Sequence, residues 1–276
     1  MEELYALLTE SLPAGIDAVE IYNLYYSGCK LNQHLQWWQA GTAKYDYYCT
    51  DKNGRVLLGE KGTWTLEAAL ALGDWDYISL QNGSTTYAVD DIETAAQTYI
   101  QQAGPLLNRF HELFPDAQLL WQRTWAFEVG RVSGSTTYTE EMLIEYDRNA
   151  QYVSDLICET YADLGIIPVN SGIAWKNARE LDGALSESLL PYGGLCARLG
   201  INKFGDLRAH SGDGYHDGDI GGAQLLNAYM WYMTITGDYD LSDSTYAPVY
   251  TYSGKTYTLS SEHIALLKEA AEQTWK

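Results

Sequence analysis

The sequence predicts an α/β protein built on a parallel sheet, and two observations lead there. Three short segments, residues 77–80 (YISL), 118–122 (QLLWQ) and 166–169, are apolar on both faces, as parallel strands covered by helices must be. Long helical patterns at residues 90–114 and 139–164 separate them, and strand–helix alternation marks crossover units. The 276 residues show no repeat, low-complexity tract or linker, so one domain over residues 1–276 is expected.

Residues 2–12 read as a helix, with Leu4, Leu7, Leu8 and Leu12 on one face. Pro13-Ala14-Gly15 ends it. Residues 18–25 (AVEIYNLY) read as a further strand of the parallel sheet, followed by the Ser27-Gly28-Cys29 turn. Residues 31–39 form a short helix. Residues 45–50 and 55–59 flank Asp51-Lys52-Asn53-Gly54, a hairpin pattern. Thr65 caps a helix reaching Leu72.

Strand 77–80 runs into Gln81-Asn82-Gly83-Ser84. The helix over 90–114 is expected to break near Gly104-Pro105, because proline removes a backbone donor. Strand 118–122 leads to Arg123-Thr124-Trp125. Helix 139–164, strand 166–169 and helix 171–181 follow, then an irregular stretch over 182–212. A helix over 218–235, a hairpin around Ser253-Gly254-Lys255 and a helix over 260–275 complete the chain.

A net charge of −20 argues against nucleic acid or an anionic membrane as partner. No run of 18 apolar residues occurs, so no membrane span is expected. Cys29, Cys49, Cys158 and Cys196 show neither CxxC nor Cys/His metal spacing. They read as free, buried thiols. The 23 tyrosines and 9 tryptophans serve packing first, with a sugar-binding cleft as their alternative use. Met1-Glu2-Glu3-Leu4-Tyr5 is not a signal peptide. A cytoplasmic location follows if Met1 is the native start, and secretion stays open if a segment precedes it.

The chemically most informative stretch is Asp213-Gly214-Tyr215-His216. In a turn entering a helix, residues i and i+3 project to one side. Asp213 can then orient the His216 imidazole and stabilise its protonated form, as a base and its orienting acid require. The bland alternative is a helix cap in a solvated turn. Calcium binding by Asp213, Asp217 and Asp219 lacks the full loop pattern, so no metal is expected. His34, His111 and His263 have no partner pattern and are expected at the surface, while His210 is kept as a backup base. In parallel sheets, sites gather at the C-terminal ends of strands. Ser27-Gly28, Gln81-Asn82 and Arg123-Thr124-Trp125 all follow strands, and the late acid–base pair joins them.

The blocks NLYYSGCKLNQH (23–34), WDYISLQNGS (75–84), LLWQRTWAF (119–127), IIPVNSGIAWKNAR (166–179) and DGYHDGDIGGAQLLNAYMWYMTITG (213–237), in this order, resemble the SGNH (GDSL-like) hydrolase superfamily, close to an uncharacterised bacterial branch. The resemblance implies a flavodoxin-like three-layer α/β/α sandwich and hydrolysis of acyl or acetyl esters of carbohydrates, without a cofactor. It implies Asp213 as catalytic acid and His216 as base. It also implies Gly28 as an oxyanion donor and Gln81 as the amide beside it, with Asn82 second. Arg123 and Trp125 are candidates for shaping the cleft or touching substrate.

The family's serine block does not occur. No GNS, GDS or GxSxG is present, and Ser27 and Ser84 match the oxyanion blocks instead. The first strand and its serine are therefore expected upstream of Met1. The alternative is a chain that lost its serine and binds carbohydrate without cleaving it. The first account is preferred, because a sheet lacking its central strand leaves backbone edges unpaired.

Overall fold

The computed structural model describes residues 1–10, 12, 15–126, 132–133, 136–184, 222–252 and 255–276. The chain packs as two compact units. One comprises Met1–Tyr5, Pro13–Thr124 and Asn149–Val169; the other comprises Ala6–Leu12, Trp125–Arg148 and Asn170–Lys276. The fold is mixed α/β with a parallel sheet.

The first unit carries two sheets. In chain order its strands are β1 (Ile21–Tyr25), β2 (Asp46–Asp51), β3 (Gly54–Leu57), β4 (Tyr77–Leu80), β5 (Gln118–Gln122) and, after two further short strands of the second unit, β8 (Ile167–Val169). Strands β4, β5 and β8 form the parallel sheet in that order, with Leu80 opposite Trp121 and Gln122 opposite Val169. Central β5 is the buried one: Leu119, Leu120 and Trp121 are wholly enclosed. Helix α4 (Ile92–Leu113) contributes Ala96, Ala103, Leu106, Leu107 and Phe110 to the core.

One expectation is corrected here. β1 is not a strand of the parallel sheet. It pairs antiparallel with β2, which pairs antiparallel with β3. The reason lies in the hairpin. Gly54 takes the left-handed φ of +95° that the turn needs, and Asn53 N–H donates to Asp51 Oδ1 at 2.7 Å. The resulting ribbon offers β1 a ready partner. β2 buries Tyr47 and Cys49 while Tyr48 stays half-exposed, the one-faced alternation of an antiparallel sheet. Among the described strands, β1 and β4 each have one hydrogen-bonded strand neighbour.

Helix α4 does not break at Pro105. Proline at 105 removes the N–H that would bond the Gln101 carbonyl; nearby, Tyr161 Oη donates to the Ile100 carbonyl at 2.8 Å and Asn108 Nδ2 to that of Gly104 at 2.9 Å. Gly104 matters for room, since a Cβ there would overlap the Tyr161 hydroxyl. The sequence-predicted cap is present: Thr65 Oγ1 accepts from Ala68 N–H at 3.1 Å at the start of α3 (Leu66–Leu70).

In the second unit, α6 (Ser171–Gly183), α7 (Ala223–Thr236) and α8 (Ser261–Gln273) pack on one another. Ala174, Ala178, Leu226, Tyr229, Met230, Met233, Leu267 and Ala270 are buried there. Small residues on α6 and α8 let these helices approach closely. Glu10 accepts from Thr245 N–H at 2.7 Å and from Ser244 Oγ at 2.8 Å. These bonds hold its carboxyl below the usual range against an opposing effect of burial. The pair β9 (Val249–Tyr252) and β10 (Lys255–Thr258) forms the expected late hairpin.

Two histidines expected at the surface are not there. His263 is buried. His34, on α2 (Leu31–Gln39), is half-buried and stacks on Tyr45 at 5.5 Å and 9°, with Nδ1 2.7 Å from the Tyr45 hydroxyl. Burial pushes the His34 pKa down to about 4. A lowered histidine pKa means that protons favour the unfolded chain, whose value is about 6.5. His34 should therefore cost nothing above about pH 6.5 and destabilise progressively as pH falls toward about 4. The expected loss is on the order of 2 kcal/mol. Thermal melts at about pH 7 and pH 4.5 check this: His34→Gln should shrink the drop in Tm, and an equal drop in both proteins would refute it.

Candidate functional site

The turn after β1 and the turn after β4 meet within the first unit. Cys29 N–H donates to the Tyr26 carbonyl at 3.2 Å, and Gly28 between them has φ +66°. A Cβ at 28 would touch nothing, so the left-handed backbone alone favours glycine there. After β4, burial continues the strand's alternation: Leu80 is buried, Gln81 exposed, and Asn82 buried at 1% exposure. That period of two separates the two candidate amides.

Asn82 is held by its oxygen. Oδ1 accepts from Leu31 N–H, the first residue of α2, at 3.3 Å, and from Gly83 N–H at 3.0 Å. Only an oxygen can accept from two amides, so the network itself decides which way the side chain points. Its Nδ2 is buried and donates to no protein group among the described residues. A buried donor without a partner costs about 1–3 kcal/mol, and each such group calls for an explanation, such as a bound water or a ligand.

The neighbours of this turn are firm. Gln33 Oε1 accepts from Lys30 N–H at 3.0 Å, anchoring the entry to α2. The Gly83 carbonyl accepts from Thr86 N–H at 3.0 Å and Thr86 Oγ1 at 2.6 Å. Asn149 Nδ2 donates to the Tyr87 carbonyl at 3.0 Å, fixing the far side of the short 3-10 helix Ser84–Tyr87. Cys29 is a free thiol whose pKa burial pushes up to about 12, so it is not an activated nucleophile.

Two further candidates, Arg123 and Trp125, follow β5. Arg123 is 4% exposed; its backbone N–H donates to the Val169 carbonyl at 3.0 Å and its Nη1 to Gln151 Oε1. Gln151 in turn donates to Asp155 at 2.6 Å, so Arg123 ties β5 to α5 (Glu140–Thr160). In the second unit, half-buried Trp125 stacks on Trp175 with centroids 4.9 Å apart and planes at 4°. Trp175 Nε1 donates to Asn227 Oδ1 at 3.1 Å, and the Arg179 guanidinium lies 5.5 Å over its ring while donating to the Ala126 carbonyl at 2.7 Å. Asp213 and His216, with His210 and Cys196, lie outside the described residues.

The fold is thus a mixed α/β one with a parallel sheet, and the site is a cradle of neutral backbone and side-chain amides at strand ends. The chain belongs to the DUF4886 family, a domain of unknown function whose profile matches residues 4–195. A crystal structure of a DUF4886 family protein from Bacteroides uniformis is similar at 21% identity and a TM-score of 0.67, over 99% of this chain and 87% of that one. A GDSL-like lipase candidate from Parabacteroides merdae is matched at 20% identity and a TM-score of 0.38, over 76% of this chain and 70% of that one. No curated protein matches the chain.

Residue 82 can be split into its two functions. Asn82→Ala leaves the Leu31 and Gly83 N–H groups unpaired and should cost about 1–3 kcal/mol. Asn82→Asp keeps an acceptor for both, at a helix N-terminus that favours negative charge. In urea melts at neutral pH, Asn82→Asp should stay closer to wild type than Asn82→Ala. Equal losses at neutral pH would mean that the oxygen does not hold the turn.

Proposed function

We propose that this chain carries the site of an SGNH-type ester hydrolase acting on acyl or acetyl esters of carbohydrate-like alcohols. In this reading residues 1–276 belong to one SGNH-hydrolase-like domain, completed by a strand and a serine block upstream of Met1. The observation that carries it is Asn82, whose Nδ2 is a buried donor without a partner among the described residues, beside the Gly28 turn. The single described strand neighbour of β1 and of β4 supports the upstream strand, because the turns that follow those two strands touch while the strands themselves do not pair.

The serine hydroxyl attacks the ester carbonyl carbon while His216 takes its proton. The carbonyl π-bond opens onto oxygen, and that oxyanion accepts from Asn82 Nδ2, the Gly28 N–H and the serine N–H. Asn82 is preferred to Gln81 because its amide is buried and fixed, whereas Gln81 faces solvent. His216 then gives its proton to the leaving alcohol as the C–O bond breaks. Water, deprotonated by the same imidazole, releases the acid and regenerates serine. Asp213 holds the imidazole in the required tautomer throughout. Each oxyanion donor contributes about 3 kcal/mol in comparable sites. Arg123 acts by holding the end of β5, and Trp125 offers a ring face to a sugar.

The test is to read the frame upstream of the Met1 codon, express the longer protein and assay aryl acetates and acetylated sugars. His216→Ala should abolish turnover, and Asn82→Ala should lower kcat by about two to three orders of magnitude. The reading fails if no serine block is encoded upstream, or if His216→Ala hydrolyses at the wild-type rate. Sugar binding without turnover would identify a non-catalytic carbohydrate-binding protein instead.

A further inference from the structure

The geometry points to Gly83 and Thr86 as positioning residues that aim the Asn82 amide, an inference resting on the oxyanion role proposed above. Gly83 has φ −60° and ψ 137°, a conformation open to any residue. Its glycine is therefore a matter of space. A Cβ at 83 would lie 2.9 Å from the Cys29 carbonyl oxygen and 3.5 Å from Lys30 Cγ. The first of these neighbours is backbone and cannot swing aside.

The consequence reaches Asn82 through two residues. Cys29 precedes Leu31 by two positions, and Leu31 N–H is one of the two donors that hold Asn82 Oδ1. That bond is 3.3 Å, already at the long end of the ordinary range. A side chain at 83 would push the two turns apart and break it. The amide would then keep only its bond from Gly83 and could rotate its donor away.

Thr86 secures Gly83 from the other side. Its N–H and Oγ1 both donate to the Gly83 carbonyl, at 3.0 and 2.6 Å. Its own carbonyl accepts from Tyr99 Oη of α4 at 2.7 Å, so the clamp is fixed to the core helix. Gly83 is thus held between the Cys29 carbonyl and the Thr86 side chain. With Oδ1 held and the amide planar, the direction of Nδ2 is set.

The experiment uses this chain, with asparagine side-chain nitrogens labelled and the Leu31 amide followed by hydrogen exchange. Asn82→Asp assigns the Asn82 resonance by its disappearance. Gly83→Ala should speed Leu31 exchange about ten-fold or more and move the Asn82 resonance. Thr86→Val should move both in the same direction, and Thr86→Ser should restore wild-type values. In the longer, serine-bearing protein, Gly83→Ala and Thr86→Val should lower kcat about ten-fold or more, with KM within about two-fold. Folded Gly83→Ala and Thr86→Val proteins with wild-type Leu31 exchange and Asn82 resonance would overturn the inference. If Gly83→Ala does not fold, the Thr86→Val and Thr86→Ser pair decides by the same readouts. Absence of ester hydrolysis in the wild-type longer protein would end the esterase reading alone, because exchange and resonance are measured without turnover.

Discussion

The hydrogen bond from Leu31 N–H to Asn82 Oδ1 joins two pieces of structure that no strand pairing joins. β1 belongs to an antiparallel ribbon and β4 to a parallel sheet, yet the turns that follow them meet at this contact. One side chain satisfies a first-turn donor of α2, a group that helix geometry leaves without an internal partner. The same side chain also accepts from its neighbour Gly83. Two backbone donors are satisfied by one oxygen, and the amide nitrogen is left over. The chemical interest of the site is thus a by-product of capping a helix from a distance.

Two glycines flank this contact for different physical reasons. Gly28 is required by its dihedral angle, since φ +66° is strained for other residues while open space surrounds its Cα. Gly83 is required by crowding, since its dihedrals are ordinary and a carbonyl fills the place of a side chain. A turn that must curve and a turn that must fit tightly are thereby set against each other. Neither depends on a charged group, and Lys30 at the entry to α2 is exposed.

How much of this could be read from the sequence follows from range. Strands 77–80 and 118–122 and the helix over 31–39 were legible to the residue, because apolar runs and local turn chemistry specify them. The partner of β1 was not. Its five residues suit either sheet, and what decides is the ribbon that Asn53 and Gly54 fold further along the chain. α4 runs unbroken through Pro105, and a residue far away in the chain, Tyr161, bonds the Ile100 carbonyl beside it. Gln81 and Asn82 were both marked as candidate amides, and the period of two running from Leu80 could have separated them. The bond to Leu31 spans 51 positions, and no local pattern announces it.

The acidic character of the chain bears on why a neutral amide stands at this position. In the proposed esterase, a net charge of −20 would work against a developing oxyanion. A surface lysine would answer with a charge that water and salt largely screen. A buried dipole is different. It acts over a few ångströms, is little screened, and need not reorganise when charge appears beside it. Asparagine suits both demands of the proposed role at position 82, because its oxygen accepts from the helix while its nitrogen is left to donate. Aspartate would meet the first and put a second oxygen where the proposed oxyanion would lie. The same reasoning explains the packing of Gly83 and Thr86 around the amide. A dipole stabilises charge only in the direction it points, so the groups that hold its direction matter as much as the donor itself.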